Sequence, residues 1–178
     1  MNGGFFSYLQ QLELMAFFSG YPLVYLIVFF LAGDRGIKKN SGTRVVSRLP
    51  FAYALMGALY LGLQLKVLYP DYSIDNIKLT VQHPFLMIWG LFPILCWIAA
   101  FRKKPYLSLL HSLTFFLFLV RDLFFHFFGW SADGNIIKND MKVYTGSILL
   151  NLLTFALVAL LSLLFARCKT CLKSKSGQ

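Results

Sequence analysis

The sequence is poor in charge, and the charge it has is lopsided. Only 13% of its 178 residues are Asp, Glu, Lys or Arg, about half the share usual in a soluble domain. Seven of these are acidic and seventeen basic. So few carboxylates exclude a two-metal or carboxylate-rich catalytic centre, which needs several converging on one point. Cysteine is scarce too. Cys96 lies inside an apolar run, and Cys168 and Cys171 lie near the C-terminus. An odd count so placed is no disulfide framework, and one CxxC without a second pair or a nearby His is half a zinc site. No Gly-rich phosphate loop, HExxH or Ser/His/Asp arrangement occurs. Residues 1–13 hold no Lys or Arg, so the N-terminus does not read as a cleaved secretory signal. No internal repeat is apparent.

What fills the space is apolar. Hydrophobic residues make up 58% of the chain, with 19 Phe and a mean hydropathy of +0.65. A hydrocarbon core of about 30 Å needs about 20 helical residues, and five runs approach that length. The expected fold is all-α: a polytopic membrane protein, one five-helix transmembrane domain over 1–178, with spans at about 14–32, 50–69, 84–101, 107–128 and 144–166. Pro22 is expected to bend or unwind the outer third of the first span. Pro50 opens the second at a first-turn position, where a missing N–H costs nothing. Ala54, Ala58 and Gly62 form a small-residue ridge for close helix approach.

The basic residues decide orientation. The loops 33–49 and 102–105 and the tail 167–178 carry five, three and four Lys or Arg. The opposite side carries only Lys66, Lys78, Lys138 and Lys142. The positive-inside rule puts the N-terminus outside and the basic tail in the cytoplasm. A net charge of +10 arranged in short clusters between apolar runs is a topology signal, and it excludes nucleic acid as a partner. The bilayer is the primary partner, in a plasma membrane or bacterial inner membrane.

Chemistry is sought where polar groups enter the spans, since each is costly there. On the fourth span Ser108, His111, Phe115, Phe118, Asp122 and His126 follow helical steps along one face, with Asp122 and His126 one turn apart. On the fifth, Ser147, Asn151, Thr154 and Ser162 form a stripe, and the two stripes are expected to face one another. By depth, Gln64, Arg121, Asp122 and Asn151 fall in one layer of the outer third, with Glu13, Lys66, His83 and His126 above. The candidate cluster is therefore Gln64, Arg121, Asp122, His126, Asn151 and Thr154, acting as helix–helix glue or as an outward-opening cavity. His83, His111 and His126 are the candidates for haem or quinone, although no cofactor is the first expectation, and no metal set is expected. The leading functional expectation is a non-catalytic subunit or accessory factor, bound to other membrane subunits or to itself. A small transporter or ligand-binding protein and a haem- or quinone-carrying redox subunit are the alternatives.

Overall fold

The computed structural model describes residues 3–34, 45–70, 72–74, 77, 84–128 and 134–175; for 3–7, 32–34, 122, 126, 134–137 and 166–175 it describes the backbone alone. Every element is helical: α1 Gly3–Phe18, α2 Tyr21–Asp34, α3 Leu49–Leu68, α4 Pro84–Leu91, a 3₁₀ segment Phe92–Trp97, α5 Ala99–Arg102, α6 Pro105–Phe127 and α7 Gly134–Lys175. Among the described residues four helical stretches are long and apolar enough to cross a membrane: Tyr8–Leu31, Leu49–Leu68, Pro105–Phe125 and Lys138–Phe165.

Two prolines break two of the apolar runs. Pro22 has no N–H to give the Phe18 carbonyl four residues earlier, and α1 stops at Phe18 while α2 starts at Tyr21. The break at Ser19–Gly20 falls in the N-terminal third of the first run, the part that Pro22 is expected to bend or unwind. Pro93 does the same to the Trp89 carbonyl, with a larger result. The run expected as one helix over 84–101 is divided into α4, the 3₁₀ segment and α5, with Ile98 extended at φ −70°, ψ 134°. Its shorter apolar helix is Pro84–Trp97. Tighter 3₁₀ winding rises about 2.0 Å per residue against about 1.5 Å in an α-helix. The stretch Pro84–Trp97 thus reaches about 24 Å, farther than an α-helix of its length.

The last helix is longer than expected. It begins at Gly134 and runs 42 residues, about 63 Å, taking in most of the expected loop 129–143 and the basic tail. No proline interrupts it, and Tyr8 Oη donates at 3.0 Å to Asp140, a buried residue in its early turns.

Side-chain contacts fix the direction of each element against α1. Tyr8 meets Asp140 and Phe17 meets Asn151, so α7 runs parallel to α1. Glu13 meets Gln64 and Phe18 meets Tyr53, so α3 runs antiparallel. Gln11 meets Arg121 and Phe18 meets His111, so α6 also runs antiparallel. The broken third run follows α3 in the opposite sense, with Gly90 at Tyr60, Pro93 and Ile94 at Gly57, and Arg102 over the Phe51 ring at 4.7 Å.

The core gathers Leu14, Phe18, Tyr21, Tyr53, Tyr60 and Phe115 where α1, α2, α3 and α6 meet. The close-approach face of α3 is not the expected ridge. Ala54 is buried, but Gly62 is exposed with nothing within 4 Å of a built Cβ. The tight point is Gly57, where a Cβ would lie 3.0 Å from both Ile94 N and Pro93 Cβ. The 3₁₀ segment packs there because Gly57 offers no side chain to hold it away. At the first break the approach is closer still: a Cβ on Gly20 would stand 2.4 Å from Ile148 N, so backbone meets backbone.

Candidate functional site

His111 sits at the centre of the molecule and mends the second break. Its Nε2 is 2.8 Å from the Trp89 carbonyl and its Nδ1 is 2.6 Å from Tyr53 Oη. A carbonyl only accepts, so Nε2 carries the proton, and Nδ1 takes the one offered by Tyr53. The Trp89 carbonyl is the one that Pro93 leaves without its helical donor. Five aromatic rings surround the imidazole, Trp89 and Phe92 nearest at 4.9 and 5.1 Å, then Phe115, Tyr53 and Phe18. Both ring nitrogens are bonded to protein, which leaves no lone pair for an iron at His111. Below this, Tyr21 Oη and Ser108 Oγ meet at 2.8 Å, and Ser108 in turn donates to the Pro105 carbonyl at 2.7 Å.

The first break is mended from α7. Gly20 N–H donates to Ser147 Oγ at 2.9 Å, and Asn151 Nδ2 donates to the Phe17 carbonyl at 2.9 Å. The Asn151 amide also reaches the Ser147 carbonyl at 2.8 Å, while its Oδ1 is buried without a partner. The polar stripe of α7 therefore faces the broken first run. It does not face α6, as the matching stripes suggested, because the Phe17 carbonyl and the Gly20 N–H at the break are the stronger claim on its amide and hydroxyl. Thr154 bonds only its own helix, to the Leu150 and Asn151 carbonyls at 3.1 and 2.9 Å.

The cluster expected in one layer likewise resolves onto α1. Gln64 Nε2 donates to Glu13 Oε2 at 3.1 Å, and an Arg121 guanidinium nitrogen reaches Gln11 Oε1 at 3.5 Å. Arg121 also lies over the Phe118 ring at 5.6 Å. Measured along α1, Arg121 is level with Gln11, Gln64 with Glu13 and Asn151 with Phe17, a spread of about 9 Å for six residues. Gln64, Arg121 and Asn151 thus meet α1 at different depths rather than each other. The side chains of Asp122 and His126, and the whole of His83, lie outside the described residues.

Sequence reasoning missed Tyr53 and Tyr60, the two tyrosines of α3 that face the core. The available signal was their seven-residue spacing on either side of Gly57, together with a proline four residues after Trp89. Among the described residues no group of three or more His, Cys, Asp and Glu comes together. A groove of about 720 Å³ runs along the flank of α7 from Lys138 to Leu152, lined among the described residues by that helix alone, and so is surface relief rather than an internal chamber. Set against family models, curated proteins and solved structures, the chain finds no match.

Proposed function

We propose that the protein is a five-pass integral membrane protein of the plasma or bacterial inner membrane, serving as a non-catalytic subunit or accessory factor of a larger membrane assembly. What supports five passes is direction: α3 and α6 both run opposite to α1, so the chain between them has to return. The broken third run lies antiparallel to α3 from the level of Tyr60 to that of Phe51. What supports the orientation is that Arg48, just before α3, and Arg102, over Phe51, sit at one end of the bundle. Glu13 and Gln64 lie toward the other. The basic end faces the cytoplasm under the positive-inside rule.

The observation that carries the subunit reading is where the polar groups of the helices go. His111, Tyr53, Ser147, Asn151, Gln64 and Arg121 tie helix to helix, while the inner half of α7 leaves Leu157, Leu160, Leu163 and Phe165 more than half exposed. A helix so little covered by its own bundle offers its surface to lipid or to another subunit. The test is crosslinking in intact membranes, followed by extraction in mild detergent. A stoichiometric companion, or a second copy of the chain, is expected to co-purify. A crosslink-free monomer in every mild detergent overturns the reading.

A second reading, a small ligand-binding or transporting protein, draws on the two interrupted runs. Interrupted helices often border solute sites in membrane proteins. Here the broken ends are closed by Ser147, Asn151 and His111.

A further inference from the structure

Among the described residues one buried hydroxyl is left unanswered. Tyr60 Oη is fully buried and has no hydrogen-bond partner, and it lies within electrostatic reach of the Glu13 carboxylate. Gln64, one turn further along α3 and itself buried, holds Glu13 by the 3.1 Å bond from its Nε2. Glu13 has no basic side chain within ion-pair distance among the described residues, and the Arg121 guanidinium reaches Gln11 and the Phe118 ring. The enclosure is tight. Gly90 seats its backbone against Leu14 and Tyr60, where a Cβ would come within 2.5 Å of Leu14 Cδ2 and 2.7 Å of Tyr60 Cε1. Phe17 presses edge-on to the Tyr60 ring at 5.6 Å.

We propose that Glu13, Tyr60 and Gln64 bind a monovalent alkali cation from the outer face of the bundle. One carboxylate within a membrane span is costly unless its charge is matched, and a single positive ion matches it. The donors are hard oxygens: the Glu13 carboxylate, the phenolic oxygen of Tyr60 and the side-chain carbonyl of Gln64, which its own Nε2 bond leaves free to accept. Hard neutral oxygens with one negative charge suit sodium or potassium; a divalent ion calls for more carboxylates. The Tyr60 phenol, buried without a hydrogen-bond partner, then has a role for its oxygen.

The experiment is a melting series on the full-length protein in detergent, exchanging N-methyl-D-glucamine chloride for NaCl or KCl at constant ionic strength. A ligand that binds the folded state raises the melting point with its concentration. The wild type is expected to gain a few degrees for each tenfold rise of the cation beyond half-saturation. Glu13→Gln should lose that dependence entirely, and Tyr60→Phe should need severalfold more salt for the same rise. Sodium-23 NMR gives a second readout on the wild type alone: line broadening by the protein, relieved by potassium. Equal melting points in all three salts with no broadening overturn the site, and so does a Glu13→Gln protein that keeps the cation dependence. A melting point that follows pH and ignores the cation also overturns it, marking Glu13 as a carboxyl neutralised by a proton.

Discussion

At the scale of single residues, His111 is the side chain whose loss should be felt most widely. It satisfies two groups at once, the Tyr53 hydroxyl and the Trp89 carbonyl, from within a cage of aromatic rings. A buried group left unpaired costs about 1–3 kcal/mol. His111→Phe keeps the apolar bulk but strands the Trp89 carbonyl and takes from the Tyr53 hydroxyl one of its two partners, Ser112 being the other, so it should cost more than Tyr53→Phe. The double variant should cost about 1 kcal/mol or more less than the sum, since a Tyr53 already lacking its hydroxyl has nothing left to strand. Thermal or chemical unfolding in detergent measures all three. Strictly additive costs would mean that the 2.6 Å contact between Oη and Nδ1 contributes nothing.

At the scale of elements, the bundle holds together by repairing its broken helices. Ser147 and Asn151 supply what the Ser19–Gly20 break lacks, whereas Thr154, one turn further along α7, bonds only carbonyls of its own helix. Asn151→Leu should therefore cost about 1–3 kcal/mol by leaving the Phe17 carbonyl unpaired, and Thr154→Val should be close to neutral. Melting temperatures of the two variants, matched for expression, check this, and equal losses would refute it. The same contrast shows what the sequence could and could not announce. Pro22 declared the first break by its own chemistry, and Ser147 and Asn151 were visible as a stripe on one face. Their partner was not visible. Helical periodicity says which residues share a face but not which neighbour that face meets. Stripes on consecutive helices look matched even when an unpaired backbone elsewhere takes the bonds. Pro93 was equally visible, yet its effect depended on Gly57 admitting the 3₁₀ segment and on His111 answering Trp89, neither of which is local. The start of α7 at Gly134 was missed for a related reason, since residues 134–143 are too polar to read as a span but contain nothing that stops a helix.

At the scale of the whole molecule, everything depends on whether the third run completes a crossing. It is the least regular element, with eight α-helical residues, six 3₁₀ residues and a four-residue helix after an extended Ile98. If it dipped in and came back, Tyr72 and Lys103 would lie on the same side and α6 would enter from outside. The contacts argue against that geometry: Tyr21 touches Ser108 near the start of α6, and Gln11 touches Arg121 near its end. Since α1 enters from the outside in the proposed topology, α6 has to begin at the cytoplasmic end. In a background with Cys96, Cys168 and Cys171 replaced by serine, Tyr72→Cys should react with a membrane-impermeant maleimide on intact cells. Lys103→Cys should react only after permeabilisation. Both positions are exposed, so burial does not decide the outcome. Labelling of both from outside would make the third run re-entrant. It would also turn α6 and α7 over in the bilayer, reversing the basic tail and placing it against the positive-inside rule. The parallel course of α1 and α7, read from Tyr8 against Asp140 and Phe17 against Asn151, would then be impossible, because a chain with one crossing fewer brings its last helix back in the opposite sense.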